Sequence, residues 1–194
     1  MSSSTAATEP WALGLDADGG PHARVHALVL SHFDSIWRLL RRLGVPESMV
    51  DDATQQVFVI ATDKLSKIQP GSEHSFLFGI ALRIASDERR KARRRPEVAE
   101  LEESALSHQG PTPDELVDQR KARALMDDVL EAMPLELRSV FVLYEMEEMT
   151  MAEIAAVLGI PAGSVASRLR RAREHFHDHV RRYRAKWEGP KVKP

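Results

Sequence analysis

The stretch "EIAAVLGIPAGSVASRLRRAREHF", Glu153 to Phe176, reads as two helices broken at a Gly-Ile-Pro elbow. Just ahead of it, "TMAE" from Thr150 to Glu153 fits a capping box, in which a threonine hydroxyl and a glutamate carboxylate satisfy each other's backbone N–H groups. Ile154, Ala155 and Leu158 then give a short apolar stripe. Gly159 suits the left-handed residue that ends a helix, and Pro161 is tolerated in the first turn of the next. Two helices joined this tightly are a helix-turn-helix signature. At about 100° per residue, Val165, Leu169, Ala172 and Phe176 share one face of the second helix and are expected to meet a core. Gly163, Ser167, Arg170, Arg171 and Glu174 point the other way, with Ser164 and Arg168 on the flank. Small residues let a helix approach a groove closely, and arginine grips phosphate or the edge of guanine. The pattern fits a recognition helix in a major groove. A solvated amphipathic face is the plain alternative for the same residues.

Charge is distributed in blocks. The formal net charge of the 194 residues is only −2, but Arg83 to Arg95 holds seven Arg/Lys against Asp87 and Glu88. Glu97 to Asp118 holds seven Asp/Glu and no Arg or Lys, and Arg168 to Lys186 holds eight Arg/Lys against Glu174 and Asp178. Two basic blocks therefore flank an acidic one. The chain has no cysteine, which excludes disulfides and thiol chemistry and suits a cytoplasmic protein. Its first residues, "MSSSTAATEPWALGLDADGGP", lack the basic start and apolar run of a secretory leader. No apolar run approaches the roughly 20 residues that cross a bilayer, so membrane insertion is not expected.

The fold class read from these patterns is all-α: two small helical domains joined by an acidic flexible linker, the second containing the helix-turn-helix. Residues 1–21 are Ser/Ala/Gly-rich and are expected to be disordered. A first domain, 22–96, reads as three helices. The first carries Val25, Leu28, Val29, Phe33, Ile36, Leu39, Leu40 and Leu43 at helical spacing and stops at Gly44. Pro46 is expected in the first turn of the second helix, which carries Val50, Ala53, Val57, Ile60, Ala61 and Leu65. "KIQPGSEH" reads as a loop, Ser72 or Ser75 as the cap of a third helix, and Pro96 as its stop. Residues 97–115 read as the linker and 116–186 as the second domain, with a tail at 187–194 and no further domain expected after it. Strand signals and internal repeats are nearly absent.

At this point the residues resemble a known family. "DDATQQVFVIATDKL" is similar to the D-x-x-Q-E-V-F segment of bacterial RNA polymerase sigma factors of the extracytoplasmic-function type, through Asp52, Gln55, Val57 and Phe58. "FLFGIALRIASDERRKARRR" resembles the segment that follows, through Leu77, Phe78, Ile80, Ala81, Asp87 and Arg89 or Arg90. "LEAMPLELRSVFVLYEMEEMT" and the opening stretch resemble two later segments, and the four stand in family order over about 22–95 and 125–176. The chain also departs from the pattern. Phe76 stands where tryptophan is usual, Arg83 where asparagine is, Gln56 for a glutamate, Ser164 for a threonine and Ala166 for a basic residue. Arg83 and Ala166 together suggest an altered promoter preference. Unchanged promoter choice and affinity after Arg83→Asn and Ala166→Lys would remove that suggestion.

The resemblance implies a sigma factor with no enzymatic activity and no cofactor. Its first domain would bind the clamp of core RNA polymerase and melt the minus-ten element, and its second would read the minus-thirty-five element. Asp51, Asp52, Gln55 and Gln56 would face the polymerase. Arg83, Arg89, Arg90, Arg93 and Arg94, with Arg95, would hold the melted strand. Ser164, Ser167, Arg168, Arg170 and Arg171 would meet duplex DNA. The loop Lys64 to Ser75 would shape a pocket for an unstacked base; Phe58, Phe76 and Phe78 read as core. An anti-sigma factor is an expected partner. The acidic linker reads as a tether, with fold-back onto the basic helices, through Glu97, Glu100, Glu102 and Glu103, as its alternative. His22/His26 and His175/His179 stand four apart, but no third ligand is evident at a useful spacing, so no metal is expected. A free-standing helix-turn-helix regulator is the alternative reading of the whole chain.

Overall fold

The structure is a computed structural model, and it describes residues 21–69, 71–94 and 113–187. The expected linker lies largely outside them, as do the N-terminal segment up to residue 20, Arg95, Pro96 and the tail after Trp187. Among the described residues there are seven α-helices, one 3-10 turn and no strand. They are α1 (Pro21–Leu43), α2 (Glu47–Asp63), α3 (Glu73–Arg94), α4 (Pro113–Ala132), α5 (Leu135–Glu145), α6 (Met151–Leu158) and α7 (Ala162–Trp187), with the turn at Leu65–Lys67.

The first three helices pack pairwise on one another. Ile36, Leu39, Leu40 and Leu43 of α1 meet Val50, Ala53, Val57 and Ala61 of α2 and Leu77, Phe78, Ala81 and Ala85 of α3, all buried. Gly44 ends α1 with φ +93, a conformation open to glycine at little cost. Pro46 sits one position earlier than expected. Its extended backbone, φ −56 and ψ 149, makes it the N-cap of α2 and not its first-turn residue. Ser72 directly precedes α3, but its hydroxyl donates to the Gln69 carbonyl, and Ser75 lies inside the helix. Neither serine caps it; the Glu73 carboxylate instead accepts from the Gly71 N–H at 2.6 Å.

In the second group α5 and α6 pack on α7, and α4 also meets it. Phe141 of α5 stacks on Phe176 of α7 with centroids 5.4 Å apart. Helix α4 opens at Pro113, inside the span assigned to the linker. The two groups also meet. α1 packs on α4 and α5, and α3 packs on α6, so the buried side chains form one connected cluster.

Candidate nucleic-acid interface

The helix-turn-helix is built as its local residues dictate. Glu153 N–H donates to the Thr150 hydroxyl at 3.3 Å, and Thr150 N–H donates to the Glu153 carboxylate at 2.8 Å, which closes the capping box. The Thr150 hydroxyl, which donates to the Glu153 carboxylate at 2.7 Å, and then the Thr150 N–H hold the exposed Glu153 carboxyl below its ordinary range. Gly159 turns left-handed at φ +64, and α6 and α7 meet at a bend of 104°. Val165, Leu169 and Ala172 are buried beneath α7, with Phe176 partly covered.

The other side of α7 opens with exposed Ala162, Gly163, Ala166 and Ser167, and Ser164 is half-buried beside them. The arginines behind them divide. Arg171 is exposed and has no ion-pair partner among the described residues. Arg170 pairs with Glu174 at 2.6 Å, one turn further along. Arg168 leans back 3.7 Å from Glu136 of α5, with 30 % of its side chain exposed, so it is partly engaged at the flank. Arg173 is held by Glu145 at 2.7 Å and lies over the Tyr144 ring, which fixes α7 to the end of α5.

On α3 the expected arginines also divide. Arg83 and Arg90 are exposed on the outward strip, and Arg90 pairs with Asp87 at 3.1 Å. Gly79 lies on the same strip, where an added Cβ would meet nothing within 4 Å. Arg89 is turned away from that strip. Its guanidinium donates to the Leu43 carbonyl at 3.2 Å, at the end of α1. Arg93 and Arg94 belong to the last turn of α3, and their side chains lie outside the described residues.

Asp51, Asp52, Gln55 and Gln56 are all exposed on α2. The Trp37 indole donates to the Asp51 carboxylate at 2.8 Å, so Asp51 is held in place by α1, whereas Asp52 is free of ion pairs among the described residues. Phe58 and Phe78 are buried as expected, and Phe76 is half-buried. The loop before α3 borders a cavity of about 190 Å³ through Leu65, Ile68 and Glu73, with Arg24, Leu28 and His32 opposite.

Family comparison bears on both halves. Residues 28–95 match Sigma-70 region 2, and residues 119–176 match Sigma-70, region 4. This chain belongs to the extracytoplasmic-function sigma factors. The ECF RNA polymerase sigma factor SigE of Mycolicibacterium smegmatis is 29% identical over 157 residues, covering 80% of this chain and 61% of that one. The ECF RNA polymerase sigma-E factor of Escherichia coli is 27% identical over 170 residues, covering 83% and 88%. Among solved structures, CnrH in complex with the cytosolic domain of CnrY shares 26% identity at a TM-score of 0.61, covering 84% of this chain and 91% of that one. The sigma factor RpoE of Bartonella quintana, solved with the anti-sigma factor NepR, shares the fold at 19% identity and a TM-score of 0.59, covering 79% and 94%.

Sigma factors are initiation factors and not enzymes, so the surfaces of this one are read for binding alone. Among the described residues, no group of three or more His, Asp or Glu is placed to hold a metal, and no single helix is long and apolar enough to cross a membrane. Sequence reasoning missed Trp37, whose indole orients the Asp51 carboxylate, because nothing local to residue 37 shows that Asp51 lies across from it.

Proposed function

We propose that this sigma factor divides promoter recognition between α3 and α7 and meets core RNA polymerase through the outer face of α2. The observation that carries the reading is the outward side of α7: small residues first, then Arg171 without an ion-pair partner. Ser164, Ser167, Arg170 and Arg171 would meet the minus-thirty-five duplex, with Arg168 in a supporting place at the flank. Arg83 and Arg90, with Arg93 and Arg94 further along α3, would track the melted minus-ten strand. Asp51, Asp52, Gln55 and Gln56 offer carboxylates and amides to cationic side chains of the polymerase clamp. The cavity bordered by Leu65 and Ile68 is the place for an unstacked base. The domain limits that fit these roles are 22–96 and 116–186, and the cytoplasm is the compartment in which they would act. An anti-sigma factor as partner is supported by the relatives solved in complex with CnrY and NepR.

Run-off transcription with core polymerase, this protein and a genomic promoter library tests the reading. Transcripts from a defined promoter subset, absent without the protein, are expected. No such transcripts, with dimeric binding to duplex half-sites instead, would favour a free-standing regulator.

A further inference from the structure

The cavity before α3 has two walls that come from far apart in the chain. Arg24, Leu28 and His32 stand four residues apart on α1, so they share one face of that helix. Leu65 and Ile68 supply the opposite wall, with Glu73 at the start of α3. About 190 Å³ of space lies between them. The second wall has few anchors. From Lys64 to Gln69 only Ile68 is buried, at 2% exposure, and Leu65 is half-buried; the others are exposed. Hydrogen bonds within this stretch are local: the Lys67 N–H donates to the Lys64 carbonyl at 2.8 Å, and the Ile68 N–H to the Leu65 carbonyl at 3.2 Å. Such bonds shape a turn without fixing where it stands against another helix.

Arg24 fixes it. Its guanidinium donates to the Ile68 carbonyl, 44 residues further along the chain. The carbonyl of a buried residue needs a donor, and a charged donor makes one of the stronger hydrogen bonds. One bond therefore ties the α1 wall to the turn that faces it. Arg24 also lies ahead of residues 28–95, the span that matches Sigma-70 region 2. The tie thus comes from outside the part of the first domain that the family model covers. A wall held in place beforehand spares a ligand the cost of ordering it on binding.

We propose that Arg24 is a positioning residue for minus-ten recognition: by holding the Ile68 carbonyl it sets the width of the cavity, and with it which unstacked base is accepted and how readily. The proposal rests on the reading of this cavity as the base site. Arg24 need not touch the base; it acts through Leu65 and Ile68. Without its bond the turn would still form from its local hydrogen bonds, but its distance from Leu28 and His32 would no longer be fixed. Base choice should blur and capture should weaken, while the outward side of α7 is untouched.

Arg24→Met tests this, since it keeps an unbranched apolar stem and removes the donors. Holoenzyme would be given promoter fragments carrying each base in turn across the minus-ten element, with open complexes read by the permanganate reactivity of unpaired thymines. The wild type should prefer one base at one position. Arg24→Met should shrink that preference several-fold, and Arg24→Lys, which keeps a charged donor, should recover part of it. In the full chain alone, hydrogen exchange at the Lys67 and Ile68 amides should quicken in Arg24→Met, with binding to minus-thirty-five duplex unchanged. A loss spread evenly over all four bases, with a shallower salt dependence, would make Arg24 a phosphate contact and overturn the proposal. Unchanged exchange at Lys67 and Ile68 would overturn it as well. Ser31→Leu, which narrows the same cavity from α1, separates the two readings. A base preference that Ser31→Leu abolishes and Arg24→Met leaves whole would sink the positioning role alone. No preference in the wild type, or one that Ser31→Leu leaves whole, would sink the base site and the proposal with it.

Discussion

α3 and α7 are both arginine-bearing helices assigned to promoter DNA, yet they sit in the molecule differently. α3 is packed over much of its circumference, with Leu77, Phe78, Ile80, Ala81, Ile84, Ala85 and Glu88 all buried. It keeps a narrow outward strip that holds Gly79, Arg83, Asp87 and Arg90. Among the described side chains α7 is buried only at Val165, Leu169 and Ala172, and the other sides of its first turns stand clear. A helix entering a major groove must be free on most of its sides, since the groove is only about 12 Å wide. A helix that lies along a single opened strand needs one exposed edge and gains from a rigid bed. Small residues on the outward start of α7 and apolar residues around most of α3 are the sequence form of that difference.

The largest effects should come from the two cores. Phe78→Ala should cost about 3–5 kcal/mol and Leu169→Ala about 2–5 kcal/mol. The two groups of helices share one connected cluster of buried side chains, but charged contacts such as Arg42 with Glu147 lie between them, so each loss should be largest in its own half, as hydrogen exchange resolved along the chain would show. Loss of protection in both halves from either variant would mean that the two helices belong to one cooperative unit.

Next comes the DNA face. Arg171→Ala should weaken duplex binding by about 1–3 kcal/mol and relax specificity at one base position if it reads a guanine; Arg170→Ala, already paired with Glu174, should do less. Even weakening across sequences in a binding titration would make Arg171 a phosphate contact, and no weakening would return it to a solvated face. Arg83→Ala should instead lower the salt dependence of single-strand binding, by a log–log slope of about 0.7.

Two of the three left-handed glycines among the described residues, Gly44 and Gly159, sharpen the contrast between halves. A left-handed backbone costs a residue with a Cβ about 1–2 kcal/mol. Gly159→Ala should show little more than that, since nothing lies within 4 Å of the new Cβ. Gly44→Ala should cost more, because its Cβ would stand 2.7 Å from Arg138 Nη1 and 2.9 Å from Arg89 Nη1. Equal losses in chemical denaturation would deny the tight packing at Gly44.

Acid should distinguish the halves most gently. Burial, with His32 adding, pulls His74 below the usual histidine value of 6.5. The unfolded chain then binds more protons below that pH, so this contribution is full above 6.5 and is lost as pH falls. Glu153, lowered by its bonds to Thr150, contributes above its ordinary 4.5 and loses that contribution only below it. Acid melting should therefore begin in the first half, and His74→Leu should flatten its slope just below pH 6.5.

What the sequence showed best was what its neighbours in the chain decide. Thr150, Glu153, Gly159 and Pro161 specify the elbow within twelve residues, and the periodicity of 165, 169 and 172 places the buried face of α7 without knowledge of its partner. Ser72 misled because a serine beside a helix start can also donate backwards, and here it does. Arg89 has a partner that its own surroundings in the chain do not show. Its basic neighbours all suggest DNA, but its hydrogen bond depends on where the end of α1 lies, 46 residues back in sequence. Arg138, which donates to the Arg42 carbonyl, and the pair of Arg42 with Glu147 carry the same lesson. A buried fastening between distant elements leaves no periodic trace, and only the packed chain reveals it.

The pairing of Arg170 with Glu174 bears on how the protein searches. On random DNA a phosphate must displace a carboxylate that already satisfies the guanidinium, so the exchange yields little and the residence there is brief. At the right site a base edge and the neighbouring Arg171 contact arrive together, and the exchange becomes favourable. If α7 meets DNA as proposed, Glu174 would hold the place of the nucleic acid between encounters, at the small cost of parting an exposed pair worth about 0–1 kcal/mol.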